Sequence, residues 1–166
     1  PVLELDIATW RPVVAAADTE HYARELESGA VLALPHLPFA LANDEQRFLE
    51  VRWSDGRAKN ISLDGASLKG AQGDAADLAA LASMIARFAA DASALVAALF
   101  PRYAPYLKRA RTSFRPHAVT GRAASWRKDD TRLHVDAFPS RPNRGERILR
   151  VFCNVNPSGR PREWRV

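Results

Sequence analysis

The front of the chain alternates short apolar runs with polar stretches. Residues 2–7 place apolar side chains at every second position and predict a strand, and the apolar run at residues 30–34 predicts another. Between them, residues 18–28 have a helical pattern that Asp18 would cap. Gly29, which tolerates left-handed backbone angles, would end that helix. The pattern therefore predicts a strand, a helix and a strand in succession.

Turn-forming residues dominate the next stretch. Asn43 is expected to cap a short helix over residues 44–49. Residues 54–73 hold four of the eight glycines, which predicts mostly loop with a single strand near residues 60–63. Long-range periodicity begins only at Asp74.

The longest periodic pattern in the chain starts at Asp74 and ends before Pro101. Its many alanines favour a helix and allow close packing. We expect one amphipathic helix that covers a sheet, because such a stripe is far more often part of a core than a ligand site. Its apolar positions, spaced by three, four and seven residues, are Leu78, Leu81, Ile85, Phe88, Leu95 and Leu99.

Strand-like alternation replaces the helical period from residue 109 onward. It occurs over residues 111–115, 132–136 and 147–155, and turn residues at 120–121 and 140–145 separate these stretches. Helices followed by a run of strands predict the α+β class.

Composition and charge narrow the class of protein. The 166 residues are 47% hydrophobic and 26% charged, which is ordinary for a folded domain. The single cysteine, Cys153, excludes an internal disulfide and an all-cysteine metal site. Residues 1–101 carry 8 Lys and Arg against 14 Asp and Glu, whereas residues 102–166 carry 16 against 5. This basic second part predicts a surface that meets anions, with a merely solvated arginine-rich surface as the alternative.

His134 and Asp136 are the residues most suited to chemistry. Side chains two positions apart on a strand point to the same face, so an imidazole and a carboxylate would lie side by side. They would supply two corners of a 2-His-1-carboxylate site for Fe(II). A lone His-x-Asp is a weak signal, and a hydrogen-bonded surface pair is the ordinary alternative.

The sequence around this pair resembles the Kdo hydroxylase family of Fe(II)- and 2-oxoglutarate-dependent dioxygenases. The likeness lies in residues 125–142 (SWRKDDTRLHVDAFPSRP) and 115–117 (RPH), followed by a loop and by the stretch 147–157, which contains Asn154. It is strongest over residues 110–166. It implies a double-stranded β-helix, or jelly-roll, core that requires Fe(II), 2-oxoglutarate and O2.

The family resemblance also implies roles for individual residues. His134 and Asp136 would be iron ligands, and Asn154 and Arg150 would contact 2-oxoglutarate. The reaction would hydroxylate carbon 3 of Kdo, the acidic sugar attached to lipid A in lipopolysaccharide. An anionic glycolipid suits a site lined by basic side chains, although each of these is individually more often a surface charge. The candidate substrate contacts are Arg127, Lys128, Arg132 and Arg141.

The sequence departs from the family in one respect, because no histidine follows Asp136. The family needs a distal histidine as its third iron ligand. His117 is a weak replacement, and we expect the remaining strands to lie beyond Val166. We thus expect one domain over residues 1–166, in which a helix-and-strand buttress, residues 1–108, packs on the first jelly-roll strands, residues 109–166.

Other interpretations remain open at this stage. The chain could act on another anionic substrate, or be a non-catalytic module that binds anions or nucleic acid through its basic part. No zinc-finger, RNP-like or helix-turn-helix motif supports the nucleic-acid interpretation, so no nucleic-acid partner is expected. The family resemblance implies a cytoplasmic protein with a peripheral contact at the inner face of a Gram-negative inner membrane.

Overall fold

The computed structural model describes residues 1–58, 60–116 and 142–160. The chain divides into two compact units, Pro1–Pro116 and His117–Val166. The expectation of a single domain stays a prediction. The regular elements of the first unit are β1 (Val2–Glu4), α1 (Ala16–Glu27), β2 (Val31–Ala33), β3 (Ile61–Asp64), β4 (Ser67–Lys69), α2 (Ala75–Leu99) and β5 (Thr112–Phe114), with 3₁₀ helices at Gln46–Leu49, Val51–Trp53 and Ala104–Tyr106.

The long amphipathic helix predicted from the periodicity is confirmed as α2. Asp74 caps it, since the Asp74 carboxylate accepts a hydrogen bond of 2.8 Å from the backbone N–H of Asp77. The helix packs against α1, β3 and β5. It supplies half of the buried apolar side chains found among the described residues: Leu81, Met84, Ile85, Ala89, Leu95, Val96 and Leu99.

By length and composition alone, α2 could also cross a membrane. A core helix of a water-soluble domain passes the same test, and α2 lies among packed elements. It also carries Arg87 and Asp91, both of which make ion pairs within the first unit. The helix is therefore a core helix in this fold.

The predicted strand–helix–strand beginning is confirmed. β1 pairs with β2 in parallel, with Val2 opposite Val31, and α1 connects them. Gly29 follows α1 with a φ of 93°, the left-handed value expected of it. The prediction that Asp18 caps α1 is wrong: the helix starts at Ala16, so Asp18 lies inside the first turn, where a carboxylate stabilises the helix dipole instead.

Residues 54–73 contain more regular structure than their glycines suggested. β3 forms an antiparallel hairpin with β4 and also pairs with β5, so the sheet order is β4-β3-β5. The expected single strand is thus one of two, because Gly65, with a φ of 58°, makes a tight turn between them rather than a long loop. β5 confirms the strand predicted over residues 111–115 and lies in the first unit.

A loop ahead of β3 is fixed by hydrogen bonds to its own backbone. The carboxylate of Asp55 accepts from the N–H groups of Ala58 (3.0 Å) and Arg57 (2.9 Å). These bonds favour the ionised form and lower the pKa of Asp55 from its ordinary value of 3.8. The loop therefore gains order from a side chain that stays charged near neutral pH.

One arginine of α2 holds the proline-containing loop that follows β2. Arg87 donates to the backbone oxygen of Ala40 (3.1 Å) and pairs with Glu45, and its guanidinium lies 4.2 Å from the centre of the Phe39 ring. Glu45 in turn accepts from the N–H of Ala42 (2.8 Å). The helix expected over residues 44–49 is shortened to a 3₁₀ turn, and Glu45 rather than Asn43 precedes it.

The described part of the second unit contains a tight turn but no strand. Arg144 and Gly145 have φ values of 50° and 83°, and the N–H of Glu146 donates to the oxygen of Asn143 (2.8 Å). Two successive positive φ values are the signature of a hairpin turn of type I′. Among the described residues, none in the range 147–155 belongs to a strand, so the strand predicted there is not confirmed.

Candidate metal centre

The two proposed iron ligands, His134 and Asp136, lie outside the described residues, as does His117. The same holds for all four candidate substrate contacts: Arg127, Lys128, Arg132 and Arg141. The strand predicted over residues 132–136 is likewise untested. Within residues 1–58, 60–116 and 142–160, no cluster of three or more His, Cys, Asp or Glu side chains could hold a metal. The described residues thus offer no rival metal site.

Two candidate contacts for 2-oxoglutarate, Arg150 and Asn154, are described. Both are exposed, as is Phe152 between them, whereas Val151 and Cys153 are half-buried. This period of two places Arg150, Phe152 and Asn154 on one side of the segment, since alternate residues of an extended chain point to the same side. The segment therefore has the side-chain alternation that is typical of a strand.

Asn154 is engaged in local hydrogen bonds. Its side-chain N–H donates to the backbone oxygen of Arg160 (2.9 Å), and its side-chain oxygen accepts from the N–H of Asn156 (3.2 Å). Asn156 repeats the pattern toward the backbone N–H of Ser158 (3.0 Å). The side-chain amide of Asn154 thus stabilises a bend after the segment. To contact 2-oxoglutarate, Asn154 would have to replace these hydrogen bonds with bonds to the ligand.

Phe152 and Cys153 differ in their surroundings. Phe152 is 59% exposed, so it does not fill a core position in this unit, although such a position is the common one for phenylalanine. Cys153 is half-buried, and its neighbour Asn154 is exposed. An exposed aromatic ring beside Arg150 and Asn154 could form one wall of a polar pocket.

Arg115 is a site candidate to which the sequence assigned no role. It is half-buried at the end of β5, and its Nε donates to the side-chain oxygen of Asn60 (2.7 Å). A partly buried arginine with a defined partner differs from the solvated arginines common in this chain. The signal was present in the sequence, because Arg115 begins the family-like stretch 115–117.

Comparisons with known proteins give the family. A profile described as 3-deoxy-D-manno-oct-2-ulosonic acid (Kdo) hydroxylase matches residues 9–166. Among curated protein sequences no significant match is found.

Solved structures give the same result. The crystal structure of the Kdo hydroxylase KdoO with alphaketoglutarate and Fe(III) is 47% identical and matches with a TM-score of 0.90, covering 97% of this chain and 54% of that one. The structure of KdoO with cobalt(II) is 49% identical, with a TM-score of 0.91, and covers 97% and 55%. The apo structure is 48% identical, with a TM-score of 0.91 over 97% and 54%.

The chain thus spans about half the length of the solved relatives it matches. Over that half the likeness is close in both sequence and structure, and the mixed helix-and-sheet fold predicted from the sequence agrees with it. None of these comparisons favours a nucleic-acid-binding or non-catalytic module. The chain belongs to the Kdo hydroxylase family.

Proposed function

We propose that the protein is an Fe(II)- and 2-oxoglutarate-dependent dioxygenase that hydroxylates carbon 3 of Kdo in the inner core of lipopolysaccharide. The observation that carries this proposal is the match of 97% of the chain, at 47% identity, to KdoO in complex with alphaketoglutarate and Fe(III). A related structure contains succinate, the product formed from 2-oxoglutarate by decarboxylation, together with Fe(III). Both co-substrate and product of such a reaction are therefore known ligands of close relatives.

The donor atoms of the His-x-Asp pair fit Fe(II). A neutral imidazole nitrogen and a carboxylate oxygen are ligands of the facial 2-His-1-carboxylate class, which leaves positions open for other molecules. His134 and Asp136 would hold the metal together with a distal histidine outside this chain. When bound, Fe(II) would be the group that reacts with O2, which hydroxylation requires.

Arg150 and Asn154 would orient the co-substrate. 2-Oxoglutarate carries two carboxylates, and an arginine can bind one of them through two parallel N–H donors. Arg150 and Asn154 share the exposed side of their segment, so one ligand could contact both. Phe152 would exclude water from one side of that ligand.

The basic residues near the His-x-Asp pair would bind the substrate. Kdo carries a carboxylate and lipid A carries phosphates, and guanidinium groups suit both. Arg127, Lys128 and Arg132, which flank the metal ligands in sequence, would bind the substrate together with Arg141 from the stretch that follows. Residues 117–166 carry 11 Lys and Arg against 5 Asp and Glu, a charge balance that favours such a substrate.

The location follows from the proposed substrate. An enzyme that modifies Kdo attached to lipid A would work at the cytoplasmic face of the inner membrane, bound peripherally. We further propose that residues 109–166 contribute to a jelly-roll core. The type I′ turn at residues 143–146 supports this, because such turns join antiparallel strands in hairpins.

The first test is an anaerobic titration of Fe(II) with 2-oxoglutarate on the full-length product of the gene that encodes this chain. We expect the weak visible charge-transfer band of the iron chelate in the natural protein. The double variant His134→Ala/Asp136→Ala should lose it, because two of the three protein ligands are removed. Stopping the titration before O2 is added keeps metal binding separate from turnover.

The matched control removes an imidazole and a carboxylate elsewhere. His36→Ala/Asp44→Ala changes two exposed residues of the first unit and should leave the band unchanged. A band that survives in His134→Ala/Asp136→Ala would overturn the iron assignment. Absence of a band from the natural protein would overturn the proposal as a whole. With O2 and Kdo-lipid A added, formation of succinate together with a hydroxylated sugar then tests the substrate.

A further inference from the structure

The segment between α2 and β5 is fixed at both ends and exposed between them. At its start, Phe100 is buried and stacks on Tyr103 with ring centres 5.3 Å apart, and the Tyr103 hydroxyl donates to Glu27 of α1. Arg102 donates to Glu20 of α1 at 2.7 Å. At its end, β5 is paired with β3. All eight residues from 104 to 111 are exposed.

This segment, residues 104–111, combines apolar and basic side chains in a small area. Tyr106 is 83% exposed and Leu107 is 44% exposed, although both could bury much of their surface in an apolar medium. Lys108, Arg109 and Arg111 follow within four residues, and no acidic residue occurs in the segment. The segment therefore presents an aromatic and an aliphatic side chain beside three cations at the surface of the first unit.

Such a combination matches the chemistry of an anionic bilayer surface. Tyrosine is enriched where hydrocarbon meets headgroups, because its ring is apolar and its hydroxyl is polar. Leucine adds apolar area, and Lys or Arg near an anionic leaflet is attracted to it. The 3₁₀ turn at Ala104–Tyr106 and the anchors at both ends hold the segment in place, which reduces the entropy lost on binding.

We propose that residues 104–111 form a docking surface for anionic phospholipid bilayers. This rests on the proposed function, since a substrate embedded in a membrane requires the enzyme to reach the membrane. A single-stranded nucleic acid would also bind cations and aromatic rings, but it prefers successive stacking aromatics. This segment instead presents one aromatic ring with a leucine.

Vesicle sedimentation tests the proposal without iron, 2-oxoglutarate or turnover. The protein is mixed with vesicles of phosphatidylcholine alone or with about one third phosphatidylglycerol, at low and high salt. We expect binding to the anionic vesicles and little to the neutral ones, with a loss at high salt. Lys108→Gln/Arg109→Gln/Arg111→Gln should lower the partition coefficient by about 100-fold, and Tyr106→Ser/Leu107→Ser by about tenfold.

A control with the same charge change uses one lysine and two arginines elsewhere on the first unit. Arg24→Gln/Arg57→Gln/Lys69→Gln alters three exposed residues and should change partitioning by less than about threefold. If both triple variants lowered the partition coefficient equally, net charge alone would explain vesicle binding, and the proposal would be overturned. Unchanged binding in Tyr106→Ser/Leu107→Ser, or preference for an oligonucleotide over anionic vesicles, would also overturn it.

The two proposals can fail separately. Variants of residues 104–111 should keep the iron chelate band, because the proposed ligands lie elsewhere in the chain. Loss of vesicle binding with an intact band supports the docking surface. Vesicle binding that every variant retains, in a protein with a normal band, refutes the docking surface and leaves the dioxygenase proposal untouched.

Discussion

Two glycines in the hairpin region show how the same backbone angle can have different consequences for a side chain. Gly65 and Gly70 both have positive φ values, 58° and 77°. A Cβ at Gly65 would meet nothing within 4 Å, whereas one at Gly70 would lie 2.5 Å from the backbone oxygen of Asn60 and 2.8 Å from the Cβ of Ala58. Gly65 is therefore required only by its angle, and Gly70 by its angle and by space.

The first prediction compares alanine at these two positions. Gly65→Ala should lower the free energy of unfolding by about 1 kcal/mol, the cost of a left-handed L-residue. Gly70→Ala should lower it by about 3 kcal/mol, because the backbone at Asn60 must also move. Urea unfolding followed by circular dichroism measures both changes. Equal losses would mean that the close approach to Asn60 has no energetic consequence.

At the candidate site, the sequence indicated which residues could bind a metal, but it did not indicate which contacts the neighbouring side chains make. His134 and Asp136 could be proposed from the sequence because a metal needs particular donor atoms at a particular spacing. The local bonds of Asn154 could not be foreseen, because they depend on how the chain bends toward Arg160. The exposure of Phe152 was similarly hidden, since a phenylalanine in an alternating run ordinarily indicates a core position.

Among the elements, those whose stability depends on their own residues were predicted best. α2 combines a capping aspartate, helix-favouring alanines and an apolar stripe, and all three act within the helix itself. β4 was missed because three residues around a glycine-rich turn carry little periodicity, and their strand character comes from pairing with β3. For the alternating run at residues 147–155, exposure alternates from Arg150 to Asn154, but alternation alone does not specify which segment a strand would pair with.

The cap of α2 gives a second prediction. Asp74→Ala should lower the free energy of unfolding by about 1 kcal/mol, because the N–H of Asp77 loses its acceptor. Asp74→Ser should retain most of that stability, since a serine hydroxyl can accept the same bond. Thermal unfolding followed by circular dichroism ranks the stability of the natural protein and the two variants. Similar losses in both variants would show that charge near the helix N-terminus, rather than the hydrogen bond, is what stabilises α2.

At the scale of the whole molecule, buried apolar surface and positive charge are in different parts of the chain. Every buried apolar residue among those described lies in Pro1–Pro116, and none of residues 142–160 is buried. Residues 1–116 carry 13 Lys and Arg against 14 Asp and Glu, so they are nearly neutral, and the excess positive charge lies after them. The sequence revealed the charge asymmetry, but the division near residue 116 depends on β5 pairing with β3, a contact distant in sequence.

Because the buried apolar residues and the proposed iron ligands lie in different parts of the chain, we expect the first unit to fold without the part that would bind iron. A fragment of residues 1–116 contains α2, the elements α1, β3 and β5 against which it packs, and the fourteen buried apolar residues found among the described residues, so it should be helical and unfold cooperatively in urea. It lacks His134 and Asp136 and should give no chelate band with Fe(II) and 2-oxoglutarate. A fragment ending at residue 99 loses the buried Phe100 and β5, and it should be markedly less stable. If residues 1–116 instead bind a hydrophobic dye and melt without a cooperative transition, the core depends on the second half of the chain.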